Sequence, residues 1–152
     1  MNKIYISLDL ETTGFSATDD KIIEVGIVKF KGEEIIETFQ SLVNPGQKIK
    51  PIISMITGIN NEELETAPPF VEIRDKVRDF IKDFPVVGHN INFDLTFLQE
   101  NGIDTTKNAP IDTCTLARTL LPHQESYSLE TLTDTLGIEH KNKHRALDDT
   151  IA

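Results

Sequence analysis

The sequence is short of cysteine and of positive charge, and it has no long uninterrupted apolar run. Its one cysteine, Cys114, excludes an internal disulfide framework and suits a reducing compartment, so a cytoplasmic location is expected. No stretch supplies the ~20 apolar residues that cross a bilayer, and the opening "MNKIYISLDL" has neither the apolar core nor the cleavage site of a secretion signal. No membrane partner is expected. Lys and Arg number 15 against 25 Asp and Glu, a net charge of -10, which argues against broad electrostatic capture of a polyanion. Internal repeats, low-complexity tracts and Gly/Ser-rich linkers are all missing, so nothing divides the chain. With 152 residues and 38% hydrophobic content, a single domain over residues 1–152 is expected.

The hydrophobic pattern gives an element order. "IYISLDL" alternates from Ile4, "IIEVGIVKF" is β-branched from Ile22, and "EIIETFQSLV" follows a turn at Lys31-Gly32, which together predict an antiparallel meander. A loop containing "ISMITGI" follows. Pro68-Pro69 then opens a helix whose apolar residues Phe70, Ile73, Val77, Phe80, Ile81 and Phe84 recur at helical spacing. "PVVGHN" reads as a short strand leading to a helix with Phe93, Phe97 and Leu98, ended by Gly102. Ile111 marks a last short strand, Asp112 caps a helix running to Leu121, and Leu129, Leu132 and Leu136 mark one closed by Gly137. Strands first, then strands alternating with helices, predict an α/β domain with a mixed sheet.

Three stretches carry candidate chemistry. In "DLETTG", strand geometry puts Asp9 and Glu11 on one face, roughly 6.7 Å apart along the strand and opposite Ile4, Ile6, Leu8 and Leu10. Two unpaired carboxylates on one wall repel, and a divalent cation is their natural partner, although an exposed strand end with incidental acids is the ordinary alternative. In "GHNINFDLTFL", Asp94 falls in the first turn of a helix, where a carboxylate also serves the helix dipole. His89 and Asn90 fit a hydrogen-bonded strand end as well as a ligand site. In "EHKNKHRALDDTIA", a loop histidine precedes a helix with two acids, so a general base and a metal ligand could sit side by side. On a helical wheel Asp148 and Asp149 flank the stripe of Ala146, Leu147, Thr150 and Ile151 almost symmetrically, and periodicity does not choose between them. Lys141, Lys143 and Arg145 form either a small phosphate-facing patch or a solvated loop.

"DLETTG", "HNINFD" and "HRALDD" occur in the order and approximate spacing of the three exonuclease motifs of the DEDDh family, and the chain resembles DnaQ-like 3'-5' exonucleases along nearly its whole length. That family includes the epsilon proofreading subunit of bacterial DNA polymerase III. "MITGI" resembles its substrate-contacting loop and "IDTCTLAR" its segment between the second and third motifs. The resemblance implies a ribonuclease H-like fold, a five-stranded mixed sheet flanked by helices. It implies two Mg2+ or Mn2+ ions held by Asp9, Glu11, Asp94 and Asp149, the aspartate five residues after the histidine, with His144 in the preceding loop as the general base. Two such ions would bring positive charge to the point where a phosphate must sit, which answers the objection from net charge. By the same resemblance Thr12 and Gly14 contact the terminal nucleotide through backbone groups, Ile56 and Thr57 bracket its base, and His89, Asn90 and Phe93 line the pocket. Products are nucleoside 5'-monophosphates released from single-stranded or frayed 3' ends, DNA before RNA, in proofreading or repair. A polymerase or a fused helicase or polymerase domain is the expected partner. The family continues through the final helix, so that helix is expected to be cut short at Ala152. The alternatives are an exoribonuclease or oligoribonuclease of the same family, an endonuclease on the same scaffold, and a non-catalytic module that docks a polymerase.

Overall fold

The computed structural model describes residues 3–152; Met1 and Asn2, the start of the stretch examined for a secretion signal, lie outside the described residues. Strands β1 (Tyr5–Thr12), β2 (Ile22–Lys31) and β3 (Glu34–Leu42) form the expected meander. The segment expected to be a loop instead holds two short helices, α1 (Pro51–Thr57) and α2 (Asn61–Glu65). Their signals are local: Pro51 sits in the first turn of α1, Gly58 ends it in the left-handed conformation, and Asn60 and Glu63 form a reciprocal capping box on α2. Ile49, Ile59 and Leu64 pack on Ile23 of β2, which gives the pair a small core of its own.

Helix α3 (Phe70–Ile81) ends where Lys82 turns to positive φ, so Phe84 falls beyond it rather than on it. Strand β4 (Val86–Gly88), helix α4 (Ile91–Glu100), strand β5 (Pro110–Asp112) and helices α5 (Thr113–Leu120), α6 (Leu129–Leu136) and α7 (Ala146–Ile151) follow. Asp112 caps α5 by accepting the Cys114 N–H at 2.9 Å, and Gly137 closes α6 in the left-handed conformation, both as expected.

The sheet order is β3-β2-β1-β4-β5, with β4 and β5 parallel to β1 and the meander antiparallel. This is the five-stranded mixed sheet of the ribonuclease H-like fold. The period of two along β1 buries Ile6, Leu8 and Leu10 on one side, where they meet Val25 and Ile27 of β2, Val77 and Ile81 of α3, and Ile91, Phe97 and Leu98 of α4. Burial of each such aliphatic side chain stabilises by about 1.5–3 kcal/mol. The opposite side of β1 and β2 is covered by α7. Among the described residues no helix is long and apolar enough to cross a membrane.

Candidate active site

The same alternation that buries Leu8 and Leu10 sends Asp9 and Glu11 to the face under α7, close to the carboxyl ends of β1 and β4. Crevices at strand carboxyl ends are where open α/β sheets place ligands. In the β1–β2 pairing Asp9 lies opposite Gly26 and Glu11 opposite Glu24. Two glutamates directly across a ladder repel each other unless one is neutralised.

Glu24 is neutralised. It is fully buried and takes the Arg145 guanidinium through both carboxylate oxygens, at 2.8 Å from Nη2 and 3.1 Å from Nε. It also accepts the Ala146 N–H at 2.9 Å and the Gln40 amide at 2.9 Å. One carboxylate therefore ties the start of α7 to the middle of the sheet. Gly26 completes the seat, because a Cβ there would collide with the backbone of Ala146 and Leu147. Of the two readings open for Lys141, Lys143 and Arg145, the structure favours a loop of ion-paired charges over a phosphate-facing patch. Arg145 is consumed by the buried charge of Glu24, Lys143 is held by Glu130 at 2.6 Å, and Lys141 has Glu139 at 4.0 Å.

This seat also separates the two closing aspartates. Ala146, fully buried, is the point of α7 that touches the sheet. Asp149, three residues on, falls on the same side of the helix; Asp148, two residues on, falls on the opposite side. Asp148 accepts from the Asn142 amide at 3.0 Å, whereas ligand atoms of Asp149, Glu11 and His144 all lie within 4.8 Å of one another. His144 is outside the helix, exposed, in the left-handed region at φ 60°. A non-glycine residue there is strained, and the Glu24–Arg145 clamp immediately after it holds the conformation.

Asp94 is buried, and its Oδ1 accepts the Leu10 N–H at 2.9 Å. β4 pairs with β1 only at Ile6 and Ser7, so β1 runs past its neighbour and the Leu10 N–H needs another acceptor. Asp94 takes both parts open to it: it is the acid of the first turn of α4, where it accepts its own N–H, and its Oδ1 also serves the strand.

Electrostatically the cluster is overloaded with negative charge. Burial, then the nearby Asp94, Glu11 and Asp149, hold the Asp9 carboxyl well above the usual range. Burial, then Asp149 and Glu24, push Glu11 up to about 8. Burial pushes Asp94 up to about 8 against the opposing Leu10 N–H, and raises Asp149 against the opposing His140. Hard carboxylate oxygens with one imidazole and an unmet need for positive charge are a donor set for Mg2+ or Mn2+, and the residues present fit such an ion.

The expected nucleotide contacts are less uniform. The Thr12 hydroxyl donates to the Gly14 carbonyl at 2.7 Å, and a Cβ on Gly14 would strike the Asp20 carboxylate. Ile56 is exposed. Thr57 is buried, its hydroxyl donating to the Ile53 carbonyl at 2.9 Å, so its side chain is turned away from that surface. His89 is bonded through both ring nitrogens, to Thr113 at 3.0 Å and to the Tyr127 carbonyl at 2.7 Å. Asn90 sits exposed at φ 59°, and Phe93 stacks edge-on under the exposed Phe15. Sequence reasoning missed Glu24 and His140. An acid inside the apolar run "IIEVGIV" was a signal for the first; His140, whose Nε2 lies 2.6 Å from Asp149 Oδ1, carried none.

The sheet order is that of the ribonuclease H-like fold. The chain belongs to the RNase_T family, described as exonuclease, whose profile matches residues 6–152. It is 40% identical over 152 residues to the PolC-type DNA polymerase III of Bacillus cereus, a match covering 97% of this chain and 11% of the relative. With the PolC-type enzyme of Thermotoga maritima it shares 39% over 150 residues, covering 95% of this chain and 11% of the relative. The chain thus spans about a tenth of the length of these relatives. Among solved structures, Escherichia coli exonuclease I in complex with a dT13 oligonucleotide superposes with a TM-score of 0.84 at 22% identity, covering 98% of this chain and 39% of that one. At that identity the likeness concerns the fold.

Proposed function

We propose that this chain is a metal-dependent 3'-5' exonuclease that releases nucleoside 5'-monophosphates from nucleic acid, with DNA preferred over RNA. The observation that carries the reading is the convergence of Glu11, His144 and Asp149 within 4.8 Å beside Asp9 and Asp94, whose carboxyls are raised by burial and mutual repulsion. Asp9, Glu11, Asp94 and Asp149 would hold two Mg2+ or Mn2+ ions. Such ions would supply Lewis-acid stabilisation of the negative charge that develops in phosphodiester hydrolysis and would make water easier to deprotonate.

The chain's own groups do the rest. Leu10 fixes one oxygen of Asp94, and the strand holds Asp9 and Glu11 on one wall, so the carboxylates need little reorganisation. His144, exposed and outside the helix, accepts the proton of the attacking water at its free ring nitrogen, a task that requires the neutral imidazole. Thr12 and Gly14 would meet the terminal nucleotide through backbone groups, while Ile56, Thr57, His89, Asn90 and Phe93 would shape its surroundings. Preference for DNA is supported by the PolC-type DNA polymerases among the relatives and by exonuclease I, solved with dT13 and dA16 oligonucleotides. The PolC-type relatives support a proofreading or repair task beside a polymerase, in the cytoplasm, and with a net charge of -10 the domain would depend on that polymerase for processivity.

The test is digestion of uniformly labelled single-stranded DNA, duplex DNA with a mismatched 3' end, RNA of the same sequence and a closed single-stranded DNA circle, all with Mn2+. Mononucleotides from free 3' ends of DNA, faster than from RNA, are expected, with no cutting of the circle. A bulky 3' block should stop the reaction. Cleavage of the circle by the pure protein would refute the exonuclease reading, and faster digestion of RNA would refute the preference.

A further inference from the structure

We infer that His140, which lies in none of the three motifs, is the positioning residue for Asp149; the inference rests on the proposal that Asp149 is a metal ligand. Its Nε2 lies 2.6 Å from Asp149 Oδ1, and both side chains are withdrawn from solvent, 3% and 11% exposed. An approach that short requires a hydrogen on the line between the two atoms. Donation from Nε2–H engages Oδ1 and leaves Oδ2 to reach an ion.

The need for a second hold follows from the helix. α7 has six residues and makes little stiffness of its own. Its anchorage is at the beginning, where Glu24 grips Arg145 and the Ala146 N–H. Asp149 lies three residues beyond that clamp, with Thr150 and the half-exposed Ile151 after it. Apart from the His144 backbone N–H, the contact that keeps its carboxylate from swinging with the end of the helix is His140. His140 reaches it from the loop between α6 and α7, and the ring is itself referenced to α6. With its proton on Nε2 the neutral ring accepts at Nδ1, and the buried Thr133 hydroxyl of α6, 3.4 Å away, is the donor that faces it. α6 thereby sets Asp149 through the imidazole. Outer partners that orient a ligand in this way are typically worth 10–100-fold in metal affinity.

The experiment is calorimetric titration of the 152-residue chain with Mn2+, with thermal unfolding of the same samples in EDTA. His140→Leu should weaken Mn2+ binding by about 10–100-fold, and His140→Gln, which offers an N–H at a similar reach, should recover most of that loss. Thr133→Val, which frees the ring without removing it, should weaken binding several-fold. If His140→Leu lowers the EDTA melting temperature but leaves Mn2+ affinity unchanged, His140 only supports the fold and the inference is overturned. If His140→Leu does not fold, Thr133→Val decides: unchanged affinity there overturns the inference equally. Asp149→Asn separates the two layers. Wild-type Mn2+ affinity in that variant would remove Asp149 as a ligand and the inference with it, whereas weakened binding in Asp149→Asn beside unaffected His140 variants would overturn the role of His140 alone.

Discussion

Removing divalent ions should make the stability of this protein fall steeply with rising pH, because the folded state raises the carboxyls of its site. In the unfolded chain these groups ionise near 4. In the folded, metal-free protein Glu11 and Asp94 ionise at about 8, and Asp9 and Asp149 are raised as well. The folded state therefore binds more protons between those limits, so the stabilisation is complete below pH 4, shrinks as pH rises, and is gone above about 8. For Glu11 alone, moving from 4.5 to about 8 corresponds to roughly 5 kcal/mol at about 1.4 kcal/mol per pH unit. Entry of water and a small lift of α7 would relieve about half, leaving about 2–3 kcal/mol, or roughly 5–10 °C in a domain of this size. Glu11 and Asp94 repel each other, so the two contributions overlap rather than add. The assay is thermal unfolding from pH 5 to 9 in EDTA and in saturating Mn2+. The ions bind the ionised carboxylates, so the gap between the two melting temperatures should widen as pH rises. General repulsion at a net charge of -10 has the same sign, and Glu11→Gln distinguishes it: that variant should lose a large part of the EDTA slope although it changes net charge by one. A melting temperature in EDTA that stays flat or rises between pH 5 and 8 would refute the reasoning.

Asp149→Asn should lose most nuclease activity in saturating Mn2+ while Asp148→Asn changes it modestly; the reverse ranking in a side-by-side rate measurement would reassign the ligand. Glu24→Ala should destabilise by about 2–3 kcal/mol in denaturant unfolding, since it strips partners from Arg145 and from the Ala146 N–H, though the part-exposed guanidinium can turn to water. It should also lower activity by releasing the start of α7. Gly26→Val should do the same by collision with Ala146 and Leu147, and an unchanged melting temperature and rate would show that α7 is not seated as described.

What could be read from the sequence divides along the range of the interactions. β1 and the face it offers were legible because a strand repeats every two residues, so Asp9 and Glu11 had to share a side. α1 and α2 were missed although Pro51, Gly58 and the Asn60–Glu63 box are ordinary start and stop signals. Helices of seven and five residues are too short to show an apolar period, and only their caps mark them. The three acidic motifs were legible through their order and spacing, which resemble those of a known family, but motifs say which residues meet and not what holds them.

That holding is done by residues far apart in the chain, whose meeting no local pattern announces. A wheel drawn for "ALDDTI" gives a symmetrical stripe because it counts four residues as equally buried. The helix in fact rests on one of them, Ala146, since only Gly26 below it leaves room for the backbone to approach. A single contact point breaks the symmetry and puts Asp149 over β1 and Asp148 outside. Glu24 and Arg145, 121 positions apart, fix where that contact occurs. A buried ion pair of this kind adds little net stability over well-packed apolar side chains, but a broken half of it is costly, so it penalises every register of α7 except this one. Here that register sets the distance from His144 and Asp149 to Glu11. On this reading the acid in the middle of β2 serves the site without being a ligand. A conservative Glu24→Gln change, which keeps the shape but removes the charge, should leave the sheet intact and loosen the approach of Asp149 and His144 to Glu11. Unchanged Mn2+ affinity in a folded Glu24→Gln protein would show that the helix finds its register without the ion pair.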